Sequence, residues 1–423
     1  MSPRELLLGS FEAAVAAADP LHIVPAHLPQ PPKGRTLVVG AGKAAASMAL
    51  AVEQHWPASA PLDGLVITRY QHGLLTNRIT VIEAGHPVPD EAGEQAAAEI
   101  LKRAKSLGRD DLLLVLVSGG GSSLLSLPVP EVSMADLKAT TRELLKCGAP
   151  IQQMNTVRKH LSLVQGGKLA AATKARVVAL IVSDVTGDDP THIASGPCAP
   201  DPTTYQDALD ILRRYDVQPP ATVVTHLERG SRGEVEETPK PGDRVFERVD
   251  NRVVATAQQS LKAAAAFFEA HGIKAAILGD SVTGEAREVA KVYAALARQV
   301  AQHGEPWKRP VALISGGECT VTVRGNGRGG RCAEFLLALA VEWAGAENAW
   351  ALACDTDGID GTEDNAGAVL TPDALRRAAA AGKNAERLLA NNDGYAFFEA
   401  LGDLVVTGPT RTNVNDYRAI LLA

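Results

Sequence analysis

Thr36-Leu37-Val38-Val39-Gly40-Ala41-Gly42-Lys43-Ala44-Ala45-Ala46 runs from apolar residues through two glycines into alanines. A short apolar run ended by glycine reads as a buried strand, and the alanine-rich continuation as a helix. The same pattern recurs in GLVIT (64–68), DLLLVLVSGGG (111–121), ARVVALIVSD (175–184), RVVAT (252–256) and KAAILGD (274–280). Between these runs lie alanine-rich amphipathic stretches such as DEAGEQAAAEILKRAKSLG (90–108). Strands alternating with helices of this length predict an α/β fold, because parallel strands need a crossover connection. The expected first domain is therefore Rossmann-like, with a mostly parallel sheet.

The 423 residues correspond to about two to three domains at ~150 residues each, long enough to bury cores without disulfides. The charged, Gly- and Pro-rich stretch from Leu227 to Asp250 interrupts the alternation and reads as a linker or excursion loop. It places the expected division at residues 1–240 and 241–423, with part of the C-terminus free to pack on the first domain. In the second half, PVALISGGECTVTVRGNGRGGR (310–331) sets two strand-like runs around Gly-Gly-Glu. That predicts a hairpin, and hence a mixed sheet. Two α/β domains facing across a cleft is the economical architecture.

With 46% hydrophobic and 22% charged residues, disordered and fibrous classes are excluded. A net charge of −7 with 4% aromatics gives no general electrostatic reason to bind nucleic acid or an anionic membrane. Any anionic ligand must be met by a local site. Cys147, Cys198, Cys319, Cys332 and Cys354 are scattered and without C-x-x-C spacing, which argues against a disulfide framework or a zinc site. The N-terminal MSPRELLLGSFEAAVAAA is broken by Arg4, Glu5 and Glu12, so an amphipathic helix is expected rather than a signal peptide. A cytoplasmic location is the corresponding expectation, with a homodimer left open.

Several segments carry groups suited to chemistry. Gly40 and Gly42 would let backbone approach an anion, with Lys43 at the mouth of a helix N-terminus. The same residues also suit a tight βα turn with a solvated lysine. No P-loop is present, and Ala45 stands where a dinucleotide fingerprint needs its third glycine. Ser118-Gly119-Gly120-Gly121-Ser122-Ser123 follows an apolar strand and offers backbone donors without side-chain bulk, a cradle for phosphate or carboxylate or else a flexible turn. Arg158, Lys159 and His160 concentrate positive charge on a helix, able to grip a carboxylate or simply to face solvent. Asp184, ending the strand VVALIV, and Asp189 are candidates for holding Mg²⁺ or accepting a hydroxyl proton, while Asp and Gly also make plain turns.

Ser315-Gly316-Gly317-Glu318 precedes Arg324-Gly325-Asn326-Gly327-Arg328-Gly329-Gly330-Arg331, a loop that can present guanidinium groups and amides to phosphoryl oxygens. It is one loop between strand and helix patterns, unlike a disordered RGG tail that binds RNA. The Asp355–Gly361 cluster departs from a calcium loop, since Ala366 occupies the place of the bidentate glutamate. Thr412, Asn413 and Asn415 could bind substrate hydroxyls or cap a turn.

Taken in order, VGAGKAAA (39–46), SGGGSSLL (118–125), NTVRKHLSLVQGGKLA (155–170), SDVTGDDPTHIASGPCAPDPTT (183–204), SGGECTVTVRGNGRGGR (315–331), DTDGIDG (355–361) and GPTRTNVNDYR (408–418) resemble the glycerate 2-kinase family. Its C-terminal half is known as a MOFRL domain, and its members are sometimes named hydroxypyruvate reductases. The resemblance spans nearly the whole chain. It implies transfer of the ATP γ-phosphoryl group to the 2-hydroxyl of D-glycerate with Mg²⁺, by a Rossmann-like domain and a second α/β domain.

That resemblance implies phosphate-facing roles for Lys43 and Arg331; from the residues themselves, Ser118 to Ser123 are expected to donate amides and Gly316, Gly317 and Glu318 to meet the nucleotide. On the same reading of the residues, Asp184 and Asp189 are the expected metal ligands, Asp184 or Asp189 the group that meets the attacking hydroxyl, and Arg158, Lys159, Thr412 and Asn413 the expected substrate contacts. Cys332 stands where such proteins commonly have Asn, and Gly394 where Ser is usual. Two rival readings are an NAD(P)H-dependent hydroxypyruvate reductase and a catalytically silent binding protein for a nucleotide or sugar acid.

Overall fold

Strands β1 (Thr36–Ala41), β2 (Leu62–Arg69), β3 (Ile79–Ala84), β4 (Leu112–Val117), β5 (Arg176–Val182) and β6 (Val249–Ala255) form one sheet in the order β3-β2-β1-β4-β5-β6. The computed structural model describes residues 1–345 and 348–423. Each of the pairs β3·β2, β2·β1, β1·β4 and β4·β5 is parallel. β1 and β4 are buried along their whole length, as their uninterrupted apolar sequences require when helices cover both faces. The order reverses direction between β1 and β4, the switch point where open α/β sheets bind ligands beyond the carboxyl ends of their strands.

Register fixes what meets there. Ala41 pairs with Val117, and Val117 with Ile181, so the loops beginning at Gly42, Ser118 and Ser183 leave the sheet at one level. This sheet belongs to a unit spanning Pro20–Val254. The unit runs past residue 240, the division expected from the sequence, because β6 adds to the first sheet's edge. The expected excursion loop is anchored within this unit. Glu237 accepts from His160 Nε2 at 3.0 Å, and Thr238 Oγ1 donates to Asp201 at 3.1 Å.

The other unit comprises Met1–Asp19 and Ala255–Ala423. Its strands are β7 (Lys274–Gly279), β8 (Gly284–Glu285), β9 (Val311–Ser315), β10 (Cys319–Thr320), β11 (Ala349–Asp355), β12 (Gly367–Leu370), β13 (Leu404–Val405) and β14 (Asp416–Leu422). Six of them form a mixed sheet in the order β13-β12-β11-β14-β9-β7, with β7·β9 parallel and the others antiparallel. Helix Arg331–Trp343 supplies Phe335, Leu336 and Leu339 to one core. On a second core, helix Pro3–Ala16 packs Leu7 and Phe11 with Phe268 and Tyr417. The first helix thus joins the C-terminal unit, and its two fully buried apolar anchors contribute roughly 2 kcal/mol each.

The expected Gly-Gly-Glu hairpin does not form. β9 pairs with β14 and β7, whereas β10 pairs in parallel with β8. The reason is tertiary: Gly317, at φ +100°, lies so close to Val282 that a Cβ there would sit 2.3 Å from its nitrogen, and Arg418 donates to both the Gly316 and Gly317 carbonyls at 3.2 Å. Among the described residues, no single helix is long and apolar enough to cross a membrane.

Candidate active site

The first βα turn is built by close approach. A Cβ on Gly40 would lie 2.0 Å from the Leu116 carbonyl, and one on Gly42, at φ +139°, 2.1 Å from Ser118 Oγ. The turn's amides are already engaged: Gly42 donates to Ile67, Lys43 to Gly119 at 2.8 Å, and Ala44 to Ser118 Oγ at 3.0 Å. These glycines therefore lock the two loops together, and the half-buried Lys43 side chain lies against the Gly120 turn.

Gly119 and Gly120 lead directly into the short helix Gly121–Leu124, with Gly120 left-handed at φ +80°. Ser123 Oγ donates back to the Gly120 carbonyl, and Ser122 Oγ lies 2.9 Å from Ser195 Oγ. Ala194, Ser195 and Gly196 are consecutively left-handed, at φ 49°, 58° and 58°. Two non-glycine residues so held cost on the order of 1–3 kcal/mol each, strain that clusters at functional segments.

His86, at the end of β3, completes this group and was not singled out from the sequence. A Cβ on Gly120 would meet its Cδ2 and Nε2 at 2.9 Å and Lys43 Cγ at 3.4 Å. Burial, then the cations Lys43 and Arg69, push its pKa down to about 3, so the imidazole is neutral. The available signal was Gly85-His86-Pro87 after an alternating strand.

Beyond β5, Asp184 is half-buried at the same edge, whereas Asp189 is exposed and its Oδ1 takes the Thr191 amide at 3.0 Å. Among the described residues no three His, Cys, Asp or Glu side chains converge as a metal cage. A Mg²⁺ arriving with a nucleotide needs only one or two protein carboxylates.

Arg158 and Lys159, adjacent on helix Ile151–His160, part company. Lys159 is buried, donating to Thr191 Oγ1 at 2.8 Å and Asp201 Oδ1 at 3.4 Å. Arg158 touches Asn155 Oδ1 at 3.3 Å and has no carboxylate beside it among the described residues; burial lowers its pKa to about 10. Lys168 donates to the Lys159 and Ser162 carbonyls, and burial lowers it to about 8.

In the other unit, Arg331 opens its helix inside a ring of carboxylates. Its Nε donates to Asp416 Oδ1 at 2.8 Å and Nη2 to Asp355 Oδ2 at 2.7 Å, while Nη1 stands 3.1 Å from Glu318 Oε1. Burial disfavours the charge, but the three anions outweigh it and raise its pKa. Asp360 receives the Cys332 and Ala333 amides at 3.0 and 2.8 Å. This carboxylate therefore occupies the helix N-terminus that the sequence reading offered to phosphoryl oxygens. Burial pushes Asp360 up to about 7 against those two donors and Arg331.

The Arg- and Gly-rich loop is equally committed. Asn392 Oδ1 accepts the Arg324 and Gly325 amides, Asn391 Oδ1 that of Asn326, and Asp393 that of Arg328. Arg328 lies over the Tyr395 ring and pairs with Glu399. Beside the loop is an open hollow of about 250 Å³, lined by Cys319, Val321, Val323, Arg331, Glu334 and Asn392, among others. Thr412 is fully buried, donating to the Ala18 carbonyl at 2.7 Å, and Asn413 turns inward to the Asn415 amide.

Residues 6–228 match the family described as "Domain of unknown function (DUF4147)", and residues 311–416 the "MOFRL family". A "Putative hydroxypyruvate reductase" of Agrobacterium vitis is 49% identical over 100% of this chain and 95% of its own length. The "Glycerate 2-kinase" of Pyrococcus horikoshii is 42% identical over 90% of this chain and 86% of its own. The crystal structure of glycerate kinase from Thermotoga maritima superimposes with a TM-score of 0.87 at 36% identity, covering 99% of both chains. With a Rossmann-ordered sheet carrying Lys43 at its switch point and a mixed C-terminal sheet, this chain belongs to the glycerate kinase family of DUF4147 and MOFRL domains.

Proposed function

We propose that the protein is a glycerate 2-kinase, passing the γ-phosphoryl group of MgATP to the 2-hydroxyl of D-glycerate to give 2-phosphoglycerate and ADP. The observation that most supports this is the convergence of Lys43, His86 and the Gly120 turn at the sheet's switch point, in a chain so similar to a named glycerate 2-kinase.

In this reading the 2-hydroxyl oxygen attacks the γ-phosphorus as the bond to the β–γ bridging oxygen breaks. Charge spreads over the three equatorial oxygens, so the protein contributes chiefly position and countercharge. Lys43 supplies countercharge at the switch point of the parallel sheet. Glu318, the exposed partner of Arg331, is the contact an arriving phosphate displaces. Asp184 takes the hydroxyl proton or a Mg²⁺ contact, and Arg158 holds the glycerate carboxylate without Lys159.

A second reading, NAD(P)H-dependent reduction of hydroxypyruvate, is favoured by the name of the Agrobacterium relative. Against it, the first βα turn has spent on protein partners the amides that would cradle a dinucleotide pyrophosphate. One purified sample decides. ADP release that depends on D-glycerate, with 2-phosphoglycerate as product, supports the kinase. Oxidation of NADH or NADPH with hydroxypyruvate, without ADP release, overturns it.

A further inference from the structure

The imidazole of His86 stands over the Gly120 turn with Lys43 on the same side, at the distances a Cβ on Gly120 would meet: 2.9 Å to the ring and 3.4 Å to Lys43 Cγ. Only glycine leaves room for the ring there. Among the described residues no protein group engages either ring nitrogen. Three other histidines spend theirs on the protein: His160 binds the Thr156 carbonyl through Nδ1 and Glu237 through Nε2, while His55 and His271 each bond a carbonyl one turn back. A half-buried imidazole with both nitrogens unspent, beside a lysine at the switch point, is placed for a ligand.

The ligand's chemistry follows from the ring's charge state. Burial, Lys43 and Arg69 keep the imidazole neutral, so one nitrogen donates and the other accepts. A carboxylate or a fully ionised phosphate brings only acceptors and would leave the accepting nitrogen unmatched. A hydroxyl both donates and accepts.

The geometry points to His86 as the residue that positions the acceptor hydroxyl of the substrate, accepting its hydrogen bond beside Lys43. This rests on the kinase reading for the identity of the substrate. His86 is a positioning residue in this scheme: the proton lost in transfer goes elsewhere, since a ring that resists protonation is a poor base.

The test compares binding of D-glycerate with that of 3-hydroxypropanoate, which keeps the carboxylate and lacks the 2-hydroxyl, by titration calorimetry on the full chain. Sites built to bind a substrate hydroxyl discriminate strongly against analogues lacking it. The wild type is expected to favour D-glycerate at least about tenfold, and His86→Phe, which keeps ring volume without nitrogens, to bring the ratio within about threefold. His86→Gln restores part of the preference, and ATP affinity stays within about twofold in both variants. A His86→Phe protein with wild-type melting temperature and undiminished preference overturns the proposal, as does equal loss of ATP affinity. If the wild type binds D-glycerate selectively but releases no ADP, the kinase reading fails while this one stands. If it binds neither acid, both fall.

Discussion

Arg331 and Asp416 are joined by a 2.8 Å bond from Nε to Oδ1, and the other oxygen of the same carboxylate receives Arg418 Nη2 at 2.7 Å. Asp416 and Arg418 are buried. One carboxylate therefore sets the orientation of two guanidinium groups, and Arg331 cannot turn without breaking it.

Asp416→Ala leaves two cations short of their shared anion. Removing one member of a buried pair typically costs about 3–5 kcal/mol. Urea unfolding is expected to show a loss of that size, together with a fall in kcat; an unchanged midpoint would deny the bridge its structural weight.

Lys43 contributes its backbone amide to the fold, and its half-buried side chain lies beside His86 and the Gly120 turn. Lys43→Met should therefore lower kcat by at least about 10²-fold, with a melting temperature within about 2 °C of wild type. A near-normal rate would sink its assigned role.

Adjacent residues 158 and 159 should respond in opposite ways. Lys159→Met leaves the buried Asp201 carboxylate to its hydroxyl and amide donors without the lysine's charge, and should cost about 3–5 kcal/mol of stability. Arg158→Lys keeps charge but loses the planar fork, so KM for D-glycerate should rise about tenfold with stability unchanged. Steady-state kinetics and thermal melts on the two variants separate these effects.

Asp360 gives a pH signature. Its folded carboxyl titrates near 7 against 3.8 unexposed to the fold, so between those values the folded state keeps a proton that the unfolded chain releases. Stability from this group is thus greatest below about pH 4 and falls as pH rises to about 7, by up to ~4 kcal/mol, then levels off. Asp360→Asn removes the slope. The stability gap between wild type and variant, from urea unfolding, should therefore favour wild type more at pH 5 than at pH 8; a gap independent of pH would contradict the raised value.

What the sequence determined by itself was the strand-and-helix alternation and the loops that follow β1, β4 and β5. Apolar runs of strand length ended by glycine or serine have few other ways to bury themselves, and the ordered motifs carried the family. Tertiary structure decided which of the flagged groups are spent. Lys159 sits about 100° further round the helix than Arg158, and that rotation sends it to Asp201.

The same holds for the loops. Gly42, Gly317 and Gly330 read as freedom to approach a ligand, whereas in the fold they admit Ser118, Val282 and Asp360. The Gly-Gly-Glu hairpin failed because Arg418, distant in sequence, holds both glycine carbonyls. Gly85-His86-Pro87 marks a turn in the sequence, but the value of His86 lies in nitrogens left unspent, a property of its neighbours. A sequence states which donors and acceptors exist; only the packed chain settles which of them pair with one another and which remain for a substrate.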